Sequence, residues 1–383
     1  LSPFKSLMMT LGARIGVGSL AGIALAIYYG GVGTIFWIWV STIICSANAF
    51  CESLLGAKYR QKDKDNYVGG PSYYIANGLN KKSLGKIYAI ALLFTYILGF
   101  LTVQSNTMVK SITMVYHFNP LIISTIIIIL TFIVILKGLN NIADFSSKLV
   151  PFMTLGYTAI CLYIIITNIN QMPDVILSIV SQAFNPTSMG IGILTPLIIG
   201  FQKGTFSNEA GIGTGAIAAA TSNTDSPSKQ GFIQVAGIYI ETLILSTITA
   251  FVIILSNYQN ITWYNINGIE ITQKAFTYHL GNIGNYVVII SILLFAFSTI
   301  ITGYYYGESS LKFIFKKITN NGLIGFKLAV LAILLIGGIS SPTIIWFLAD
   351  IFIAILGIIN VCSLFLLRKN IIDEYHYYKY KKK

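Results

Sequence analysis

The sequence predicts an all-α integral membrane protein of about ten transmembrane helices, arranged as a five-plus-five inverted repeat with spans one and six interrupted. Three observations predict it. The 383-residue chain is 55% hydrophobic and only 10% charged, whereas a soluble domain carries roughly a quarter charged residues. Its mean hydropathy is +0.74. Apolar runs of about 20 residues, the length a helix needs to cross hydrocarbon, recur along it, and Lys and Arg gather on one side of them.

Taken in order, the candidate spans cover about 5–29, 32–57, 84–112, 120–137, 148–168, 188–220, 230–256, 283–308, 322–339 and 342–367. Connections are short except at 58–83, 169–187 and 257–282, which read as loops. This divides the chain into a first half (1–168), a second half (169–367) and a basic tail (368–383) ending IIDEYHYYKYKKK, expected to be solvated. If residue 1 is cytoplasmic, Lys58, Arg60, Lys62, Lys64, Lys81, Lys82 and Lys86 fall inside. So do Lys137, Lys148, Lys229, Lys312, Lys316, Lys317, Lys327, Arg368, Lys369 and the tail lysines. The outer loops keep Lys274, with Lys110 near that face. Positive residues mark the cytoplasmic side, so both termini are expected there. The chain begins at Leu1 rather than Met, which suggests a missing or processed start, and the lone Lys5 does not make a signal-peptide layout.

Several function classes drop out. The net charge of +12 sits in loops and tail, as for cytoplasmic loops facing anionic lipid, so nucleic acid is not an expected partner. Cys45, Cys51, Cys161 and Cys362 lie in apolar segments without a CxxC, and His117, His279 and His376 are scattered, so no transition-metal site or cofactor is indicated. No HExxH, paired aspartates or Ser–His constellation marks an enzyme. Nothing in the sequence sets the oligomeric state.

The interruptions carry the chemistry. Span one reads LGARIGVGSLAG (11–22) and span six reads KGTFSNEAGIGTGA (203–216). Glycine clusters survive in a membrane helix only where freed backbone groups find protein or water. Span one starts inside and span six outside, so the halves are inverted. Broken helices at matching places in inverted halves point to a transporter's central site. One half-helix N-terminus suits a carboxylate and the opposing C-terminal carbonyls suit a small cation. The layout therefore suits a zwitterionic amino acid with Na⁺, without excluding other small solutes.

Further polar residues lie within apolar segments. Arg14 is roughly 13 Å and Glu52 roughly 8 Å above the inner ends of their spans, from the 1.5 Å helical rise, and Glu209 follows the second break. With Asn208 they form a buried polar network, an inner gate or a direct ion-coupling group, and Lys203 is expected to cap the break or join them. In FAFSTIITGYYYGES (295–309), Ser298 and Thr299 either bond back to their own helix or, with Thr302 and Gly303, line a cavity. Gln104 and Asn106 in LTVQSNTM (101–108) either join helices or contact a substrate.

SLAGIALAIYYGGVGTIFWIWV (19–40), CESLLGAKYR (51–60), GGPSYYIANGL (69–79), GTFSNEAGIG (204–213) and FSTIITGYYYGE (297–308) together resemble the alanine or glycine:cation symporter family from residue 2 to about 370. The resemblance implies a LeuT-like fold and Na⁺-driven uptake of a small neutral amino acid by alternating access. It also implies a prokaryotic plasma (inner) membrane. Carried over by position, Gly16, Gly18 and Ser19 line the unwound part of span one, Gln104 and Phe206 border substrate beside Gly204 and Thr205, and Gly12, Ile15, Ser298 and Thr299 hold sodium. Members usually carry a further helix before this core.

Two departures bear on specificity. Where the family commonly reads GTGN this chain reads Gly16-Val17-Gly18-Ser19, replacing an amide by a hydroxyl. Where alanine carriers commonly have Trp it has Gly303, which implies room for a longer neutral side chain such as glutamine. The rival readings are a proton-coupled carrier using Glu52 or Glu209, and a passive channel.

Overall fold

The computed structural model describes residues 1–63, 66–136, 138–184, 194–256, 267–315 and 318–381. Lys64, Lys137, Lys316, Lys317, Lys382, Lys383 and residues 188–193 of the sixth expected span lie outside that set. Helix dominates, as lipid demands, because every backbone N–H and C=O must then pair within its own segment.

In the first half, α1 (Pro3–Arg14) begins on Ser2, whose hydroxyl accepts the Lys5 N–H. After residues 15–17 it resumes as a π-helical stretch, Gly18–Gly22, and α2 (Ile23–Gly30). The two parts are bent by 49°. Then follow α3 (Thr34–Lys58), an antiparallel hairpin of β1 (Gln61–Asp63) and β2 (Asn66–Val68) with Lys62 opposite Tyr67, and α4 (Pro71–Gly78). Next, α5 (Lys82–Phe94) runs through a π-helical stretch, Thr95–Phe100, into α6 (Leu101–Tyr116). The half closes with α7 (Pro120–Ile135) and α8 (Leu139–Thr167).

The second half opens with α9 (Met172–Phe184). Its broken span is α10 (Thr195–Asn208) and α11 (Gly215–Ala220). α12 (Pro227–Ile238) continues through a π-helical stretch, Tyr239–Ser246, into α13 (Thr247–Leu255). α14 (Gly268–Leu280), α15 (Ile283–Ile314), α16 (Asn320–Ile339), α17 (Pro342–Leu366) and α18 (Arg368–Lys381) complete the chain.

Among the described residues, seven helices are long and apolar enough to cross a membrane, and the bent pair α1–α2 makes eight. Each of the ten expected spans contains helix among the described residues, but α7 has 16 residues and α10 has 14, short of a full crossing on length alone. Lipid-facing stripes are plain on the outer helices. On α7, Ile122, Ile126, Ile129 and Ile133 are exposed, while Ile123, Ile127, Thr131 and Ile135 are buried. That is the one-sided stripe of a helix at the rim of a bundle.

Three expectations change. The stretches 169–187 and 257–282 are not plain loops, since they contain α9 and α14. α9 buries Val175, Ile179 and Ala183 on one face, and α14 buries Ile269, Thr272, Gln273 and Phe276 on one face. One-sided helices of 13 residues do not register as apolar runs. The tail is likewise a docked helix. Glu374 of α18 pairs with Lys58 at 3.0 Å, Asn370 donates to the Tyr59 hydroxyl at 2.9 Å, and Tyr375 meets Phe50 and Phe232.

The interior is organised around the breaks. α3 packs along α10, α11 and α12, while α15 packs along α1, α6 and α8. Both broken spans are thereby enclosed.

Candidate functional site where the two broken helices meet

In span one, α1 stops at Arg14 because Ile15 leaves helical geometry (φ −77°, ψ 83°). The N–H of Val17, freed by the break, is taken by the Gln104 side-chain oxygen at 3.0 Å. Gln104 is buried, and this bond joins α6 to span one. Asn106 also joins helices, donating at 2.9 Å to the carbonyls of Gly337 and Ser340 on the α16 side.

In span six, α10 ends on Asn208, and Glu209 takes the left-handed conformation (φ 55°). The Asn208 side-chain oxygen accepts the Ala210 N–H at 2.9 Å. Gly211 and Gly213 follow at φ 89° and 94°, values that favour glycine. The break therefore occupies 209–214, beyond Gly204, Thr205 and Phe206, which are still helical.

The breaks touch. A Cβ on Gly18 would lie 2.9 Å from Ser207 Cα and 3.3 Å from the Phe206 ring. A Cβ on Gly16 would lie 2.5 Å from Thr299 Oγ1 and 2.9 Å from Gln104 Oε1. Glycine is required at both by close approach. Gly204 faces elsewhere: its Cβ would meet Ser41 Oγ at 2.6 Å, so it seats α10 on α3. Thr205 is half-buried, and its carbonyl receives the Glu209 N–H at 3.0 Å.

A second cluster forms where α1 ends. The Gly12 carbonyl accepts from Ser298 at 2.6 Å and from Thr299 at 3.1 Å, and the Ala13 carbonyl accepts from Thr299 at 3.0 Å. Thr299 also bonds back to the Phe295 carbonyl at 3.1 Å, the bond a hydroxyl in an apolar helix commonly makes. Ile15 is buried at the end of α1, its N–H bonded to Leu11. Thr302 is buried with its hydroxyl unpartnered, and a Cβ on Gly12 would lie 3.4 Å from it.

Gly303 corrects a volume expectation. A Cβ there would come within 2.8 Å of the Tyr96 ring and 3.1 Å of Leu101. Tyr96, supplied by the π-helical stretch before α6, fills the room that a missing indole implied.

Arg14, Glu52 and Glu209 are all buried. Arg14 donates to the Gln234 carbonyl at 3.1 Å. Glu52 accepts from Asn360 at 3.0 Å, and Asn360 also donates to the Gly211 carbonyl at 2.9 Å. Glu209 accepts from Tyr96 at 2.9 Å and Thr214 at 2.5 Å. A Cβ on Gly215 would lie 2.6 Å from an Arg14 nitrogen and 3.5 Å from Glu52. The guanidinium and the Glu52 carboxylate thus flank one point in α11. Among the described residues, no contact within 4.0 Å pairs Arg14 directly with either acid. Each acid keeps one carboxylate oxygen unpartnered, as does Arg14 two of its nitrogens.

Lys203 does not join this group. It pairs with Asp350 of α17 at 3.1 Å and sits 4.8 Å over the Trp346 ring. Trp346 contacts Phe206 (4.7 Å), which stacks on Phe100 (5.1 Å), which stacks on Tyr96 (4.9 Å). An aromatic column therefore joins the Lys203 pair to Glu209.

Glu241 and Asp350 were not among the acids singled out from the sequence, although each stands alone in an apolar run, YIETLILS and FLADIF, which is itself a signal. Glu241 is fully buried and accepts from Ser19 at 2.8 Å, so the Ser19 hydroxyl points at this acid. A surface cavity of about 960 Å³, lined by Lys62, Lys82, Lys86 and Lys312, lies away from the breaks beside the hairpin.

Two broken helices meeting over buried polar groups inside an apolar bundle define a membrane transporter. The chain belongs to the sodium:alanine symporter family, whose sequence profile matches residues 1–383. It is 36% identical over 371 residues to the amino-acid carrier protein AlsT of Bacillus subtilis (96% of this chain, 78% of the relative). It is 36% identical over 384 residues to the probable sodium/glutamine symporter GlnT of the same organism (100% and 80%). It is 33% identical over 385 residues to the sodium/alanine symporter AgcS of Methanococcus maripaludis (98% and 83%). Among solved structures, a crystal structure of a manganese transporter mutant from Eremococcus coleocola matches with a TM-score of 0.61 at 15% identity, covering 94% of this chain and 78% of that one. That likeness speaks to fold alone. The relatives are carriers, and this chain is a transporter rather than an enzyme.

Proposed function

We propose that this protein imports a small neutral amino acid coupled to Na⁺ by alternating access, from the plasma membrane of a prokaryote with both termini cytoplasmic. The observation that carries the reading is the oxygen cluster at the end of α1. Carbonyls of Gly12 and Ala13 meet the hydroxyls of Ser298 and Thr299 within 2.6–3.1 Å. Carbonyls at a helix C-terminus carry partial negative charge. Neutral oxygens with no nitrogen or sulfur suit a hard monovalent cation rather than a transition metal. The N-terminal end of the helical stretch that begins at Gly18, beside Gly16, Gln104 and Phe206, offers the complementary seat for a carboxylate.

The five-plus-five inverted arrangement is the frame of this reading. It is supported by breaks in the first and sixth of the ten expected spans. Alanine and glycine are the first candidates, in line with the family. Glutamine stays within the reading through the likeness to GlnT rather than through Gly303.

Uptake into proteoliposomes tests it, comparing alanine, glycine and glutamine with and without an inward Na⁺ gradient. Accumulation above equilibrium that requires Na⁺ at fixed pH is expected. Accumulation driven equally by a pH gradient without Na⁺ would transfer the coupling to Glu52 or Glu209, whose unpartnered oxygens favour that second reading. Equilibration without accumulation would indicate a channel.

A further inference from the structure

The cavity beside the hairpin is basic at its head and apolar at its walls. It measures about 960 Å³ and is lined by Lys62 of β1, Lys82 and Lys86 of α5 and Lys312 of α15, against one acid, Asp63. Lys312 is engaged, at 3.0 Å to Glu308 and 3.7 Å to Asp63. Among the described residues, none of the ion pairs includes Lys62, Lys82 or Lys86.

The start of α5 is charged against its own stability. A helix N-terminus carries partial positive charge and favours acids in its first turn. Here the first turn holds no acid, and the N-cap is Lys81, which makes no side-chain capping bond. Lysine charge and the positive end of the helix therefore add at one place. That costs the helix and suits a bound anion.

The walls suit a lipid better than a soluble anion. The Tyr73 and Phe313 rings, 4.9 Å apart, line the cavity with Leu323. This apolar lining continues into lipid-facing stripes. On α5, Ile87, Ile90 and Phe94 are exposed and follow Lys86 at helical spacing. On α16, Ile324 and Leu328 are exposed and follow Leu323. α15 is the floor between them: a Cβ on Gly307 would lie 3.0 Å from the Phe326 ring and 3.8 Å from Leu93.

We infer that this pocket seats the phosphate headgroup of an anionic phospholipid, held by Lys62, Lys82 and Lys86, with its acyl chains along α5 and α16. The inference rests on the reading above that places both termini in the cytoplasm, which puts these lysines at the anionic inner surface of the membrane. Lysine suits the role, because its stem lies on apolar surface while its ammonium reaches the phosphate. The seat bears on transport through α5. Two residues beyond Lys86, the Tyr88 hydroxyl donates to the Ile212 carbonyl of the second break at 2.5 Å. α4 packs along α5, and its Pro71 abuts the same break, 2.4 Å from a Cβ on Gly213. A lipid that holds the start of α5 therefore steadies the elements that grip the second break.

The test begins with the purified full-length protein in detergent, its unfolding temperature read against added dioctanoyl-phosphatidylglycerol, dioctanoyl-phosphatidylcholine or inorganic phosphate. The phosphatidylglycerol alone is expected to raise it. Lys82→Gln with Lys86→Gln should need about tenfold or more lipid for half the effect. Lys369→Gln with Lys379→Gln removes the same charge from exposed positions of α18 and should respond as the wild type does. Equal stabilisation by inorganic phosphate overturns the lipid in favour of a soluble phosphate ligand. An equal shift in the α18 variant overturns the pocket in favour of general surface charge, and no response to phosphatidylglycerol overturns it outright. In phosphatidylcholine vesicles with and without phosphatidylglycerol, the wild type is expected to take up amino acid several-fold faster with it, and the α5 variant to lose most of that gain. Equal wild-type rates in both vesicles overturn the link to the second break. Lipid binding without Na⁺-dependent uptake from any vesicle keeps the pocket and removes the transport reading instead.

Discussion

Gly18 is where the broken helices come closest, its Cβ position only 2.9 Å from the Ser207 backbone. Backbone cannot swing aside as a side chain can, so Gly18→Ala must part the breaks, at an overpacking cost of roughly 1–3 kcal/mol. We expect normal membrane insertion but uptake reduced about tenfold or more, read as initial rate per assembled protein. Wild-type rates would remove the breaks from the transport site. At Thr299, replacing the hydroxyl by a methyl in Thr299→Val conserves shape while deleting a donor to the Gly12 and Ala13 carbonyls. In the proposed sodium cluster this raises the Na⁺ concentration for half-maximal uptake about tenfold, equal to ~1.4 kcal/mol of ion affinity. The amino-acid dependence at saturating Na⁺ should change far less.

Between α10 and α17, the Lys203–Asp350 pair is half-sealed, with Lys203 buried and Asp350 at 23% exposure. Removing one partner of a buried pair strands the other charge and costs roughly 3–5 kcal/mol. Replacing both by apolar residues removes that penalty. Lys203→Met should therefore lower the unfolding temperature sharply, and Lys203→Met with Asp350→Leu should recover most of the loss. Equal damage by single and double variants would mean that the pair is not the joint between these helices. The π-helical stretches play a comparable part. Thr95–Phe100 supplies Tyr96, which both fills the space at Gly303 and donates to Glu209, and Tyr239–Ser246 supplies Glu241. Such stretches have no sequence signature separable from ordinary helix, so the positions of these side chains were not legible beforehand.

Across the whole molecule, the breaks, the oxygen cluster and Glu241 all meet span one. Ligands that bind only the folded state stabilise it by mass action. If ion and amino acid both fasten the breaks, each strengthens the other by the same factor. Na⁺ and alanine together should then raise the unfolding temperature by more than the sum of their separate effects. Strict additivity would count against a shared site.

The sequence by itself determined the membrane class, the long apolar helices, the two interruptions and the family. These rest on local composition: long apolar runs, glycines clustered inside two of them, and contiguous motifs such as FSNEAG. The amphipathic helices α9 and α14 and the docked α18 escaped because burying one face leaves no apolar run. The tertiary structure alone decided which polar groups share a site. Ser19 and Glu241 are 222 residues apart, Lys203 and Asp350 are 147 apart, and Tyr96 reaches Gly303 from another helix. No local pattern encodes such pairings. They follow from how bent and π-wound helices turn their faces inward, where buried polar groups meet partners on other spans.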